Sequence, residues 1–94
     1  MDLKSRILSL VEGAPRANQA AFYSDPYVSA LVEELHRRWS RAGHRGEPID
    51  FATREELMRL YELAEYYASL PEWKAYRIFM ERRGEAVGQR SGRD

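Results

Sequence analysis

The chain has 94 residues, 44% hydrophobic and 32% charged, and its fifteen basic and fifteen acidic side chains cancel. That length suits one hydrophobic core, and the apolar content excludes a chain disordered throughout. The charge balance excludes a global field that would draw in nucleic acid or an anionic membrane, and the lack of cysteine excludes disulfides, thiolate nucleophiles and cysteine-ligated zinc.

Asp2 is a good helix N-cap, and Leu3, Ile7, Leu10 and Val11 follow at helical spacing until Gly13, Ala14 and Pro15 end the pattern. Charged residues at positions 2, 4 and 6 and no long apolar run give the expectation of neither a secretory leader nor a membrane span, with the cytoplasm as the default location. Residues 16–24 are rich in alanine, but their apolar positions do not keep to one face. The pattern there does not decide between one or two helical turns and a connector.

Asp25 followed by Pro26 predicts a helix start, because the carboxylate accepts from orphan backbone donors and proline has no donor to leave unpaired. Val28, Leu31, Val32, Leu35, Trp39 and Ala42 then form a core-facing stripe up to Gly43. Arg37, Arg38 and Arg41 sit in the last turns, where positive charge suits the helix dipole. Residues 43–52 contain Gly43, Gly46 and Pro48 and read as a loop. Thr53 and Glu56 form a capping box that opens a further helix. Its central stripe is Leu57, Leu60, Tyr61, Ala64, Tyr67 and Ala68, widened by Leu63 and Leu70.

Pro71 stops or kinks that helix and can start another. The last helix is expected to bury Trp73, Tyr76, Phe79 and Met80 and to end near Gly84, after Arg82 and Arg83. Gly84, Gly88 and Gly92 punctuate the remainder, so the expected organisation is a helical domain over residues 1–83 and a frayed or flexible tail over 84–94. The expected fold is all-α, a compact bundle of about four amphipathic helices joined by short connections.

No catalytic centre emerges, and the chain is read as not an enzyme. His36 and His44 stand eight apart, whereas a helical zinc pair needs a spacing of three or four, so both are read as structural or solvent-exposed. Glu33 with Glu34, and Glu55 with Glu56, point about 100° apart on a helix and read as solvated faces. Glu62 and Glu65 can converge, but no histidine or further carboxylate stands at ligand spacing. No metal site and no cofactor is expected.

Leu8, Met58, Tyr66 and Ile78 fall outside the assigned stripes. A domain this small has little apolar surface to spare, so Met58, Tyr66 and Ile78 are the expected contact residues for a protein partner or a second copy. Nucleic-acid binding is the alternative. Arg37, Arg38 and Arg41 on one helix and Arg77, Arg82 and Arg83 on another would contact phosphates, with Trp73 beside Lys74 or Tyr76 beside Arg77 stacking on bases. Glu33 and Glu34, one turn from the first arginine group, lower the potential there.

Leu70, Pro71, Glu72, Trp73 and Lys74, on through Arg82 and Arg83, resemble a segment of small helical proteins encoded by tailed phages, in which a Pro-x-Trp-Lys step opens a charged helix. The commoner pattern has glycine where this chain has Glu72. The resemblance implies a phage or mobile-element accessory or assembly factor and assigns no site residue. The function expected from the sequence is a non-catalytic protein-binding or self-assembling helical module.

Overall fold

Helices begin where side chains wait to accept from backbone donors. In the computed structural model, which describes residues 2–91 and side chains only as far as Gly84, Asp2 accepts from Ser5 N at 2.8 Å and opens α1 (Leu3–Glu12). Asp25 Oδ1 accepts from Tyr27 N and Val28 N at 2.9 and 3.2 Å and opens α3 (Pro26–Arg41), with Pro26 in its first turn. Thr53 and Glu56 form the reciprocal capping box that opens α4 (Arg54–Ala68). The other elements are α2 (Arg16–Ser24), a 3-10 turn (Pro48–Phe51) and α5 (Glu72–Ser91), and no strand occurs among the described residues. The fold is all-α, with five helices rather than about four.

The additional helix is the segment with no readable face. α2 packs against α1, α3, α4 and α5, so the shortest helix is the hub of the bundle. Its inward positions are Ala17, Asn18, Ala21 and Phe22, and the polar Asn18 sits in the middle of that stripe, only 1% exposed. An asparagine among alanines breaks the hydrophobic pattern while leaving the geometry of a core-facing helix intact. The Asn18 amide donates to Tyr67 O at 2.7 Å and to Leu70 O at 2.9 Å, satisfying carbonyls left orphaned at the end of α4. Its Oδ1 accepts from nothing among the described residues.

The core consists of Ile7, Val11, Ala21, Phe22, Val28, Leu31, Leu35, Leu60, Ala64, Tyr67 and Ala75, as most of the stripes on α1, α3 and α4 require. Ala42 is an exception: it caps α3 and is exposed, because Gly43 turns the chain away in the left-handed region at φ 83°. α4 ends at Ser69, so Pro71 separates two helices rather than kinking one. The Pro71 carbonyl accepts from Lys74 N and Ala75 N, both at 3.0 Å, as the first acceptor of α5.

α5 corrects two expectations. Its helical backbone runs on to Ser91 rather than ending near Gly84. Gly84 does not take the left-handed conformation of a helix stop, and an interior glycine costs only about 1 kcal/mol. Of the tail expected over 84–94, residues 92–94 lie outside the described residues. The second correction is the buried face. Ala75 is buried, Ile78 packs on the core and Phe79 is half-buried, whereas Trp73, Tyr76 and Met80 are exposed. At about 100° per residue the two sets lie on opposite sides of the helix.

The reason lies on α2. Ala21 and Ala75, both 0% exposed, belong to the two helices with the broadest contact in the molecule, and small side chains let those backbones approach closely. A tryptophan or tyrosine in that seam would hold them apart. Arg82 shares the inward face and anchors it: Nη1 donates to Ala21 O and Ser24 Oγ, each at 3.1 Å, and Nη2 to Tyr67 Oη at 2.8 Å.

Candidate interaction surface

α5 is amphipathic in an unusual sense, because both of its faces carry apolar residues and only one is covered. On the outer face Trp73 is 65% exposed, Tyr76 57% and Met80 40%, at the i, i+3, i+7 spacing that lines one side of a helix. Lys74 and Arg77 flank this stripe in the open, with Arg77 Nε 3.6 Å from Glu81 Oε2. The sequence reading took these bulky residues for core. The opposite stripe, of alanine, isoleucine, phenylalanine and arginine, fits the alanine-lined seam on α2. Pairing small residues between elements was the signal that would have identified it.

The residues expected at a partner contact divide. Met58 and Tyr66 are exposed on α4, eight positions and therefore about two turns apart. Ile78 is not on the surface with them: it packs against the core, because the inward face of α5 is the one it occupies. Leu8 is half-buried. Tyr27 is partly shielded by the Arg59 guanidinium, 5.8 Å from its ring centre.

The arginines expected at a nucleic-acid contact are largely engaged within the chain. Arg38 is a strut between three elements: Nη1 and Nη2 hold the Glu56 carboxylate at 2.7 and 3.0 Å, Nη1 also reaches Phe51 O at 3.1 Å, and Nε pairs with Glu34 at 3.1 Å. Glu34 is shared, taking Arg37 at 3.0 Å and Arg41 at 3.7 Å. The guanidinium of Arg38 holds the Glu56 carboxyl at about 2, well below the usual carboxylate range. Glu34 is lowered for the same kind of reason, by Arg38 first and Arg37 next. Arg82 is turned inward, so in the second group Arg77 and Arg83 alone remain exposed. The two groups are also divided, since α3 and α5 each lean on α2 and do not pack broadly on one another.

No protein-family model matches the chain, and no curated protein or solved structure matches it either.

The titratable side chains weighed for chemistry are spread out. Glu62 pairs with Arg59 at 3.4 Å, and Glu65 accepts from Tyr61 Oη at 3.0 Å. His36 Nδ1 faces Val32 O at 2.9 Å, while His44 packs edge-on to Trp39 with ring centres 4.5 Å apart. No group of three potential metal ligands occurs among the described residues. One polar cluster is partly buried: Tyr67 Oη donates to Asp25 Oδ2 at 2.6 Å and accepts from Arg82. Burial chiefly, and then the bond to Asp25, raise the Tyr67 phenol. Asp25 also caps α3 and Arg82 also caps α2, so this cluster joins helix ends where they meet.

Proposed function

We propose that this chain is a non-catalytic protein-binding module whose contact face is the outer side of α5. The supporting observation is the Trp73, Tyr76 and Met80 stripe, exposed on a helix whose other side is already committed to the core. Tryptophan, tyrosine and methionine are the residue types enriched at interface centres, where large rigid side chains give much contact area for little lost entropy. A single stripe at i, i+3, i+7 matches one amphipathic helix laid alongside, from a partner or from a second copy. Met58 and Tyr66 are further exposed apolar residues, on α4. An accessory or assembly role in a phage or mobile element fits a module of this kind and rests on the Pro71, Trp73, Lys74 resemblance.

A nucleic-acid role has less support, because Arg38 and Arg82 are held by carboxylates or carbonyls of the chain itself, while the exposed Arg37 and Arg41 lie against the Glu34 carboxylate. The experiment is solution mass by light scattering over a concentration series, followed by pull-down with Trp73→Glu/Tyr76→Glu as control. A dimer that the double variant abolishes makes the second copy the occupant. A monomer whose capture of a partner depends on Trp73 and Tyr76 makes it a different protein. Association indifferent to both substitutions refutes the assigned face, and binding that collapses with salt returns the alternative of phosphate contacts.

A further inference from the structure

A half-open apolar pocket lies between α1, α2, α3 and α4. A cavity of about 210 Å³ lies against buried side chains that include Ile7, Val11, Phe22, Val28, Leu35 and Leu60. Close-packed cores contain few voids larger than a water molecule, and an apolar cavity of about 150 Å³ is enough to take up benzene. One wall is the strap formed by Glu47 and the 3-10 turn, from which Pro48 and Ile49 line the space. The strap is clamped from α1 and from α3. Lys4 on α1 holds Glu47 and Asp50, each at 2.8 Å. Trp39 Nε1 donates to Gly46 O at 3.0 Å, and Arg38 reaches Phe51 O at 3.1 Å. On its upstream side Gly43, His44 and Gly46 all take positive φ, so the strap is joined to α3 by a sharply turned segment.

We propose that this cavity binds a small, uncharged, largely apolar molecule of about benzene to indole size, independently of the α5 face. The walls set the chemistry. Aliphatic and phenyl side chains offer no partner to a charge or to a set of hydroxyls, which would be desolvated without compensation. The polar side chains among the lining residues are Tyr23, His36 and Glu47. Glu47 is taken by Lys4, and His36 directs Nδ1 to Val32 O, which leaves Nε2, without a partner among the described residues, for a single N–H or O–H of the ligand. At about 210 Å³ the space matches a compact molecule rather than a helix.

The test is titration of the whole chain with indole, benzene and indole-3-acetate, followed by methyl and aromatic NMR. Expected are saturable binding of indole and benzene with shifts centred on Ile7, Val11 and Leu35, and binding of the carboxylate analogue at least about tenfold weaker. Val32→Phe fills the space from α3 and Leu8→Phe from α1; each is expected to weaken indole about tenfold or more while the melting temperature holds or rises. Leu8→Phe, at the rim, decides the matter if Val32→Phe does not fold. The proposal is overturned by an absence of saturable binding, by equal affinity for indole-3-acetate, by both filled variants binding as the parent does, or by shifts centred instead on Trp73 and Tyr76.

Discussion

Replacing Asn18 with alanine removes the two donors that close the end of α4 from inside the bundle. The bonds to Tyr67 O and Leu70 O measure 2.7 and 2.9 Å, and Asn18 itself is 1% exposed, so water does not readily replace them. Each net hydrogen bond is worth about 1 kcal/mol, and a buried carbonyl left without a donor costs about 1–3 kcal/mol. Tyr67 O retains a long bond from Leu70 N at 3.4 Å, which tempers the loss on that side. The expected destabilisation is therefore about 3 kcal/mol, or about 12–24 °C in melting temperature for a domain of this size. Urea unfolding followed by circular dichroism measures it, with an unchanged m-value showing that the same surface unfolds. Asn18→Asp sharpens the test. A carboxylate facing carbonyls is disfavoured, so its folded pKa lies above the unfolded value of about 3.9, and the variant is least impaired below about pH 4 and worsens as pH rises through the folded pKa. A loss under about 1 kcal/mol in Asn18→Ala, or a flat pH profile in Asn18→Asp, would refute the view that this amide joins α2 to α4.

Glu56→Gln is expected to cost about 1–2 kcal/mol by breaking the two-pronged contact with Arg38 and weakening the capping box, read by thermal melting at neutral pH. Because Glu56 is lowered from 4.5 to about 2, its contribution is fully present above about pH 4.5 and is lost as pH falls toward 2, so the parent chain should lose stability across that window more steeply than the variant. On α5 the two faces should respond oppositely. Ile78→Asp, on the core side, is expected to destabilise by about 2 kcal/mol or more, while Trp73→Glu should change stability by under about 0.5 kcal/mol, and the reverse order in urea melts would invert the helix assignment. Lys4→Met should free the strap, appearing as faster amide exchange at Asp50 and Phe51 with little change in α4; unchanged protection there would show that Lys4 does not hold it.

Most helix starts and stops were determined locally and were legible in the sequence, though α5 runs through Gly84, which read as a stop, and the bounds of α2 were not readable. Asp2, the Asp25–Pro26 pair, the Thr53–Glu56 box, Gly43 and Pro71 all act through backbone groups within a few residues, and each does in the structure what its chemistry requires. The core stripes of α1, α3 and α4 were equally legible, because one periodic apolar face on a helix of ten or more residues has one way to be buried. What required tertiary structure was every choice between competing faces or partners. Asn18 reads as a surface residue until the open end of α4 is placed beside it. Arg38 and Arg82 read as free charge until Glu56 and the carbonyl of Ala21 arrive from 18 and 61 residues away. α5 has an apolar stripe on both sides, and the larger side chains stand on the one with tryptophan and tyrosine. The alanines of α2 leave room only for the other, because how closely two helices approach depends on the side chains of both, and a single helix does not carry that information.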